Sequence, residues 1–140
     1  MKTSSSKLAI LLVDDDYGMN YLSRIAIERA QLQCSIFEVY DGRDALKMVT
    51  SVATPDVVLL DINMPRMGGF EFLMAYKHEG LQHKHTRIYI LTTAIIEWEM
   101  EKFVSTGLIS GYFEKPLHQR HIDTILTHVG TNFILEQVDF

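Results

Sequence analysis

The sequence predicts an α/β protein built on a doubly wound parallel sheet of five strands. Five short apolar runs alternate along the chain with segments of helical, amphipathic periodicity. The runs at 8–13, 57–60 and 88–91 consist mostly of Leu, Ile and Val, a pattern typical of strands buried on both faces of a parallel sheet. Right-handed crossovers between such strands place helices on both sides of the sheet.

Two weaker runs, at 36–40 and 109–113, complete the five predicted strands. Of the doubly wound strand orders, the flavodoxin-like order 2-1-3-4-5 suits a five-stranded chain of this length. We expect one domain over residues 1–140, with its core at about 7–129 and a short tail at 130–140. The tail could extend the last helix or pair with another subunit, but we expect it to pack on its own domain.

Helices are predicted where apolar residues recur at helical spacing or a capping residue opens a segment. Asp41 and Gly42 can turn the chain and cap a short second helix over 43–49. The third helix is predicted at about 70–78. The stripes of the first, fourth and fifth helices are Met19, Leu22, Ala26 and Ala30; Ile96, Met100, Phe103 and Val104; and Ile122, Ile125, Leu126 and Val129.

Composition excludes several classes of partner. Apolar residues make up 47% of the chain, charged residues make up 22%, and the net charge is -5. Since a broad nucleic-acid-binding surface needs a basic face, we expect no nucleic-acid partner. No apolar stretch is long enough to span a bilayer, and a lone cysteine, Cys34, cannot form an internal disulfide. We therefore expect a cytoplasmic protein with no membrane partner.

Charged and polar side chains follow four of the predicted strands. Asp14 and Asp15 end the first strand, and Asp61 ends the third. Thr93 follows the fourth strand, and Lys115 follows the fifth. Ligands of open α/β sheets bind at the carboxyl ends of the strands. Because the first and third strands are neighbours in the predicted order, their three carboxylates should converge.

Three converging carboxylates need a cation. At about 4–6 Å each pair costs roughly 3–4 kcal/mol at an effective dielectric near 20. Mg²⁺ or Mn²⁺ would relieve the repulsion, and Mg²⁺ usually leaves coordination positions to water or phosphate oxygens. A carboxylate is a nucleophile toward phosphorus. The ammonium of Lys115 and the hydroxyl of Thr93 can neutralise the transferred phosphoryl group.

Four segments, ILLVDDD, PDVVLLDINMPRMGGFEFL, IYILTTA and SGYFEKPL, resemble the signature blocks of the receiver domain of two-component response regulators. The resemblance is to the single-domain, CheY-like kind and covers about 7–129. It implies that Asp61 is the phospho-acceptor and that Thr93 and Lys115 contact the phosphoryl group. The metal ligands that it implies are Asp14, Asp15, Asp61 and the backbone carbonyl of Asn63, with Asp15 a more direct ligand than Asp14.

The resemblance also implies a switch and an output surface. Thr93 and Tyr112 match the switch pair, and Lys115–Pro116 matches a peptide bond that is usually cis in the family. The usual output surface is formed by the fourth helix, the fifth strand and the fifth helix. Trp98 is predicted to point away from the apolar stripe of the fourth helix, either as a partner-binding anchor or as a lone exposed aromatic residue.

The implied donor is a phospho-histidine on a sensor histidine kinase or a histidine phosphotransfer protein. We expect signalling by contact with an unknown downstream protein, because little chain remains for an output domain, unless the sequence is a piece of a longer protein. The chain should act as a monomer or as a homodimer that forms on phosphorylation. It should not be an enzyme in its own right, since it assists only its own phosphorylation and dephosphorylation.

Two other functions fit parts of the pattern. A phosphate hydrolase of the haloacid dehalogenase type also uses an Asp at a strand end, a Lys and Mg²⁺. That class needs a second Asp two residues after the nucleophile, where this sequence has Asn63. A degenerate receiver used only as a scaffold is the third reading, which the full set of phosphorylation residues disfavours.

Overall fold

The structure is a computed structural model that describes residues 7–51, 54–83 and 85–130. Strands and helices alternate along the chain, and a short 3₁₀ helix, Leu81–His83, precedes the fourth strand. The strands are β1 (Leu8–Val13), β2 (Cys34–Val39), β3 (Val57–Leu60), β4 (Arg87–Thr92) and β5 (Gly111–Glu114). The helices are α1 (Tyr17–Arg29), α2 (Gly42–Val49), α3 (Gly69–His78), α4 (Glu97–Val104) and α5 (Gln119–Val129).

All neighbouring strands are parallel, and their order is β2-β1-β3-β4-β5. This confirms the predicted fold class and strand order. In the register of the sheet, Val13 lies opposite both Val39 and Leu60, and Leu60 lies opposite Ile90. The carboxyl ends of the central strands are therefore level, so that the residues that follow them share one edge.

Buried side chains form one cluster on each face of the sheet. Alternate residues of the central strands point to opposite faces, which is why their sequences are apolar throughout. One cluster joins the sheet to α2, α3 and α4 through residues such as Val49, Phe72 and Phe103. The other joins it to α1 and α5 through residues such as Ile27 and Ile122.

The predicted apolar stripes are only partly correct. In α1, Leu22 is 49% exposed, and the buried face instead carries Asn20, Ser23 and Ile27. In α4 the buried residues are Met100 and Phe103. The prediction fails for Ile96 and Val104, which are 44% and 53% exposed, because the helix is short and Ile96 is its N-cap.

Two further predictions concern the end of the chain and the presence of a membrane-spanning helix. The predicted packing of the tail, at 131–140, lies outside the described residues, so the single domain over 1–140 stays a prediction. Among the described helices, none is long and apolar enough to cross a membrane.

A column of four rings fastens α5 to β4 and β5. His121 stacks on Phe113 at 4.5 Å, Phe113 stacks on Tyr89 at 5.4 Å, and Tyr89 stacks on His128 at 5.8 Å. The hydroxyl of Tyr89 lies 2.7 Å from Nδ1 of His128. Nδ1 of His121 accepts a hydrogen bond of 3.0 Å from the N–H of His118, the residue that caps α5. The column therefore attaches α5 to the sheet at two turns, the one that carries His121 and the one that carries His128.

Substituting His121 should change how stability depends on pH. Burial, followed by the charges of Arg120 and His118, lowers the pKa of His121 below 6.5. Its neutral form is favoured in the fold, so the free energy of unfolding should decrease as the pH falls below 6.5. His121→Gln keeps a capping acceptor at the third position of the helix and cannot be protonated.

We therefore expect His121→Gln to lose less stability than the wild type between pH 7.5 and pH 5.5, as measured by urea denaturation. His128→Gln, at the exposed end of the column, is the matched control. Equal losses in wild type and His121→Gln would show that this imidazole does not govern the acid sensitivity of the fold.

Candidate functional site

Backbone hydrogen bonds fix where the predicted site residues lie. The N–H of Asp14 donates to the carbonyl of Val39, the last residue of β2, at 3.2 Å. The N–H of Asp61 donates to Val13, the last residue of β1, at 2.9 Å. Each acid thus continues the hydrogen-bonding of the sheet one residue beyond its own strand. The N–H of Lys115 donates in the same way to Thr92, at the end of β4, at 2.6 Å.

The Lys115 ammonium bridges two of the predicted acids. Its Nζ donates to Oδ2 of Asp14 at 2.5 Å and to Oδ1 of Asp61 at 3.2 Å. The three side chains are 5%, 7% and 13% exposed respectively. The Lys115–Pro116 peptide bond is cis, as the resemblance implies. Residues more than fifty positions apart therefore meet in one largely buried ionic contact.

Asp15 joins the same cluster from the solvent side. One carboxylate oxygen from each of Asp14, Asp15 and Asp61 lies within 4.8 Å of the other two. Asp14 is already engaged through both oxygens, because its Oδ1 accepts from the N–H of Asp16 at 2.9 Å. Asp15 is exposed. Three hard oxygen donors at this spacing fit the ligand preference of Mg²⁺ and Mn²⁺.

Without a metal ion, the carboxylates at this edge of the sheet repel one another. Burial and the charge of Asp14 raise the pKa of Asp61 from 3.8 to about 6, although Lys115 opposes the change. Burial alone would lower the pKa of Lys115, but its hydrogen bond to Asp14 and the charges of Asp61 and Asp14 raise it instead. One ammonium therefore contacts two of the three carboxylates in the cluster, and its protonated form is favoured.

The remaining predicted residues lie around this cluster or on the neighbouring surface. Thr93 is the first residue after β4 and is exposed, and Asn63 is exposed in the loop after β3. Tyr112, on β5, is 39% exposed and lines a cavity of about 370 Å³ with residues of α4. Trp98, on α4, is 68% exposed, as predicted. The roles assigned to these four residues stay predictions.

Sequence reasoning missed two features that hold the site in place. The side-chain amide of Asn20 donates to the carbonyls of Asp14 at 3.1 Å and Val39 at 3.3 Å. Asp41 does cap α2, as predicted, but it also forms an ion pair with Arg66. The contacts of Asn20 could have been predicted from the sequence, because a polar residue on the buried face of α1 needs hydrogen-bond partners. The ion pair of Asp41 with Arg66 could not, because it joins residues distant in sequence.

The carboxyl edge of this open parallel sheet, where doubly wound α/β proteins bind their ligands, gathers three acids and one lysine. Residues 10–127 match the family model of the response regulator receiver domain. Two-component response regulator 24 of Arabidopsis thaliana is 29% identical over 114 residues, which cover 81% of this chain and 78% of that protein. This chain belongs to the response regulator receiver domain family, a family of signalling domains in two-component systems.

Two further relatives illustrate the contexts in which the domain occurs. Hybrid signal transduction histidine kinase G of Dictyostelium discoideum is 28% identical over 130 residues, which cover 91% of this chain and 4% of that protein. The solved structure of the chemotaxis protein CheY4 of Vibrio cholerae superposes with a TM-score of 0.73 at 28% identity. That superposition covers 89% of this chain and 99% of the other. This chain therefore spans nearly the full length of the chemotaxis protein but only a small part of the histidine kinase.

Removing one carboxylate from the cluster should stabilise the metal-free protein. We expect Asp61→Asn to raise the free energy of unfolding by about 1–2 kcal/mol at pH 7.5 in EDTA, because it relieves repulsion in a pocket partly screened by water. The effect is measured by chemical denaturation without Mg²⁺ and with about 10 mM Mg²⁺, a concentration chosen to saturate a weak site. Mg²⁺ should stabilise the wild type more than the variant.

Asp16→Asn is the matched control, because it removes a neighbouring negative charge while Asn still caps α1. A loss of stability in Asp61→Asn with no loss in Asp16→Asn would contradict the repulsion described here.

Proposed function

We propose that this chain accepts a phosphoryl group onto Asp61 from a phospho-histidine, with a divalent cation at the acidic cluster. The donor is a sensor histidine kinase or a histidine phosphotransfer protein. The phosphorylated chain then signals by contact with another protein through α4, β5 and α5. Its own chemistry is limited to its phosphorylation and dephosphorylation.

The observation that carries the proposal is the position of Lys115 between Asp14 and Asp61. A structural ion pair would need one acid, whereas here one ammonium contacts two acids. A third acid has a carboxylate oxygen within 4.8 Å of an oxygen of each of those two. This excess of negative charge favours a cation. It surrounds the one acid, Asp61, that the family resemblance assigns as the nucleophile.

The transfer requires little of the protein beyond positioning and neutralisation. A carboxylate oxygen of Asp61 attacks the phosphorus, a P–O bond forms, and the P–N bond to the donor imidazole breaks. The imidazole leaves with the electron pair and takes up a proton. Lys115 stays protonated throughout and neutralises phosphoryl oxygens, while the hydroxyl of Thr93 donates to another. In hydrolysis, water replaces Asp61 on the phosphorus and inorganic phosphate leaves.

The residues that would hold Mg²⁺ or Mn²⁺ are Asp15, Asp61, the carbonyl of Asn63 and, less directly, Asp14. When bound, the ion neutralises negative charge on the phosphoryl oxygens. Asp15 suits a direct role because its carboxylate faces solvent, whereas both oxygens of Asp14 already accept hydrogen bonds.

Signal output follows from the neighbours of the phosphorylated group. Phosphorylation adds close to two negative charges, toward which Thr93 would move, and Tyr112 would then enter the space that Thr93 leaves. The edge of β5 and the exposed face of α4, including Trp98, would present a changed surface. A monomer and a homodimer formed on phosphorylation are both compatible with this output.

Neither alternative function explains the site as well. Membership of the receiver family and the presence of Asn63 instead of a second acid disfavour a hydrolase of the haloacid dehalogenase type. A scaffold that is never phosphorylated would have no need for a buried lysine between two acids.

The central test is phosphate incorporation. Incubation with acetyl phosphate and Mg²⁺ should add one phosphate, about 80 Da, to the wild type and none to Asp61→Asn, as measured by intact mass under neutral conditions. Lys115→Ala should lower the incorporation rate by about tenfold or more, because a charge that stabilises the transition state is lost. Asp16→Asn, a matched loss of charge, should behave like the wild type.

Equal incorporation by Asp61→Asn would disprove the assignment of the acceptor. Absence of incorporation by the wild type would favour the scaffold function, and many turnovers on p-nitrophenyl phosphate would favour a hydrolase.

Ile95 is expected to prolong the phosphorylated state. It is 44% exposed and lies two residues after Thr93, before α4 begins, where its bulk would border the path of attacking water. Ile95→Ala should therefore hydrolyse the aspartyl phosphate several times faster than the wild type, as measured by the decay of phosphorylated mass after desalting. Ile96→Ala is the matched control, being equally exposed one position further from Thr93. An unchanged decay rate in Ile95→Ala would refute this role.

A further inference from the structure

Arg66 occupies a backbone conformation that arginine rarely adopts. Its φ of 64° lies in the left-handed region, where a non-glycine residue persists only if its surroundings hold it there. It lies between β3 and α3, in the loop that begins with Asp61. The guanidinium of Arg66 forms an ion pair with Oδ2 of Asp41 and lies 3.9 Å from Oδ2 of Asp44. The ion pair identifies one interaction that can hold the arginine in place.

Asp41 is almost fully buried, with 1% of its surface exposed. Its Oδ1 caps α2 by accepting from the N–H of Asp44 at 3.0 Å. Its Oδ2 forms the ion pair with the guanidinium of Arg66 and has no hydrogen-bond partner in the described part of the chain. A buried carboxylate that loses its only counter-charge is costly. Asp41 and Arg66 therefore depend on each other.

A backbone contact lies beside the ion pair. The N–H of Gly42, the first residue of α2, donates to the carbonyl of Met67 at 2.8 Å. A Cβ at Gly42 would lie 2.6 Å from Cγ and 2.7 Å from the carbonyl oxygen of Met67, so only glycine allows this approach. We call the contacts of Asp41 with Arg66 and of Gly42 with Met67 the α2 latch. The latch fastens the loop after β3 to the start of α2.

The same loop is folded tightly against its own beginning. The N–H of Gly69 donates to the carbonyl of Ile62 at 2.7 Å, and a Cβ at Gly69 would lie 2.6 Å from the carbonyl oxygen of Asp61. Asn63 therefore lies in a short segment held at both ends by backbone contacts, with the α2 latch between Asn63 and Gly69. Movement of Arg66 and Met67 away from α2 would free this segment, including the carbonyl of Asn63.

We propose that Asp41 and Arg66 are positioning residues for divalent cation binding, acting through the α2 latch on the Asn63 carbonyl. This inference rests on the proposed function, in which that carbonyl is a metal ligand. Outer groups that orient metal ligands typically change metal affinity by about 10- to 100-fold when removed. The latch contacts no carboxylate of the acidic cluster in the described residues, so its effect is transmitted by the loop.

The direction in which the Mg²⁺ affinity changes distinguishes a positioning role of Arg66 from a purely electrostatic one. Removing a positive charge near an acidic site strengthens the attraction of a cation. If Arg66 acted only by its charge, its loss would therefore tighten Mg²⁺ binding. If it acts by positioning, its loss weakens Mg²⁺ binding.

The test is isothermal titration of the unphosphorylated full chain with Mg²⁺, repeated with Mn²⁺. Arg66→Gly removes the guanidinium but adopts the left-handed conformation without strain, and we expect about tenfold weaker binding. Asp41→Asn keeps a good N-cap for α2 and should weaken binding to a similar degree. The double variant should be no weaker than either single variant, because both remove the same contact. Arg66→Lys should bind Mg²⁺ with most of the affinity of the wild type.

Arg43→Ala is the matched control, because it removes an exposed cation from the first turn of α2 without touching the latch. It should bind Mg²⁺ as tightly as the wild type or slightly more tightly. Urea denaturation in EDTA checks that each variant is folded, and Arg66→Asn, which also tolerates a left-handed φ, replaces Arg66→Gly if the latter is not.

Unchanged or tighter binding in a folded Arg66→Gly or Arg66→Asn variant, with normal binding by the wild type, would overturn the latch alone. Additive losses in the double variant would also overturn it. Failure of the wild type to bind either ion would overturn the latch together with the metal site of the proposed function.

Discussion

Repulsion among carboxylates at one edge of the sheet is the constraint on which the rest of this structure depends. Asp14 and Asp61 are brought together because the backbones of β1, β2 and β3 are hydrogen-bonded in register up to and beyond their last residues. The fold therefore places like charges close together in a partly buried pocket, which costs free energy. Lys115 offsets part of this cost, and the remaining negative charge favours a divalent cation at this edge.

The two helical layers contact this pocket in different ways. α1 and its partner α5 cover one face of the sheet, and Asn20 of α1 reaches the carbonyls at the ends of β1 and β2. On the other face, the start of α2 touches the loop after β3. The pocket is thus supported from both faces by contacts with the backbone.

The sequence predicted the features that arise from local pattern and topology. Runs of Leu, Ile and Val predicted β1, β3 and β4, and the strand order then placed Asp14, Asp61 and Lys115 at one edge. It could not predict which face of α1 is buried, because Asn20 and Ser23 replace apolar residues there and an apolar residue, Leu22, is exposed. The pairing of Asp41 with Arg66 was also beyond reach, since it depends on the exact path of a loop.

The ring column has a mechanical consequence for β5. Phe113 faces α5 and is stacked between His121 and Tyr89, whereas its neighbour Tyr112 points to the other face, beside α4. Only Met100 and Phe103 are buried in α4, so this side of the strand is loosely filled. Because Phe113 attaches β5 to α5 and the groove beside Tyr112 lies on the α4 side, a movement of the Tyr112 side chain would be accommodated toward α4 and would leave α5 in place.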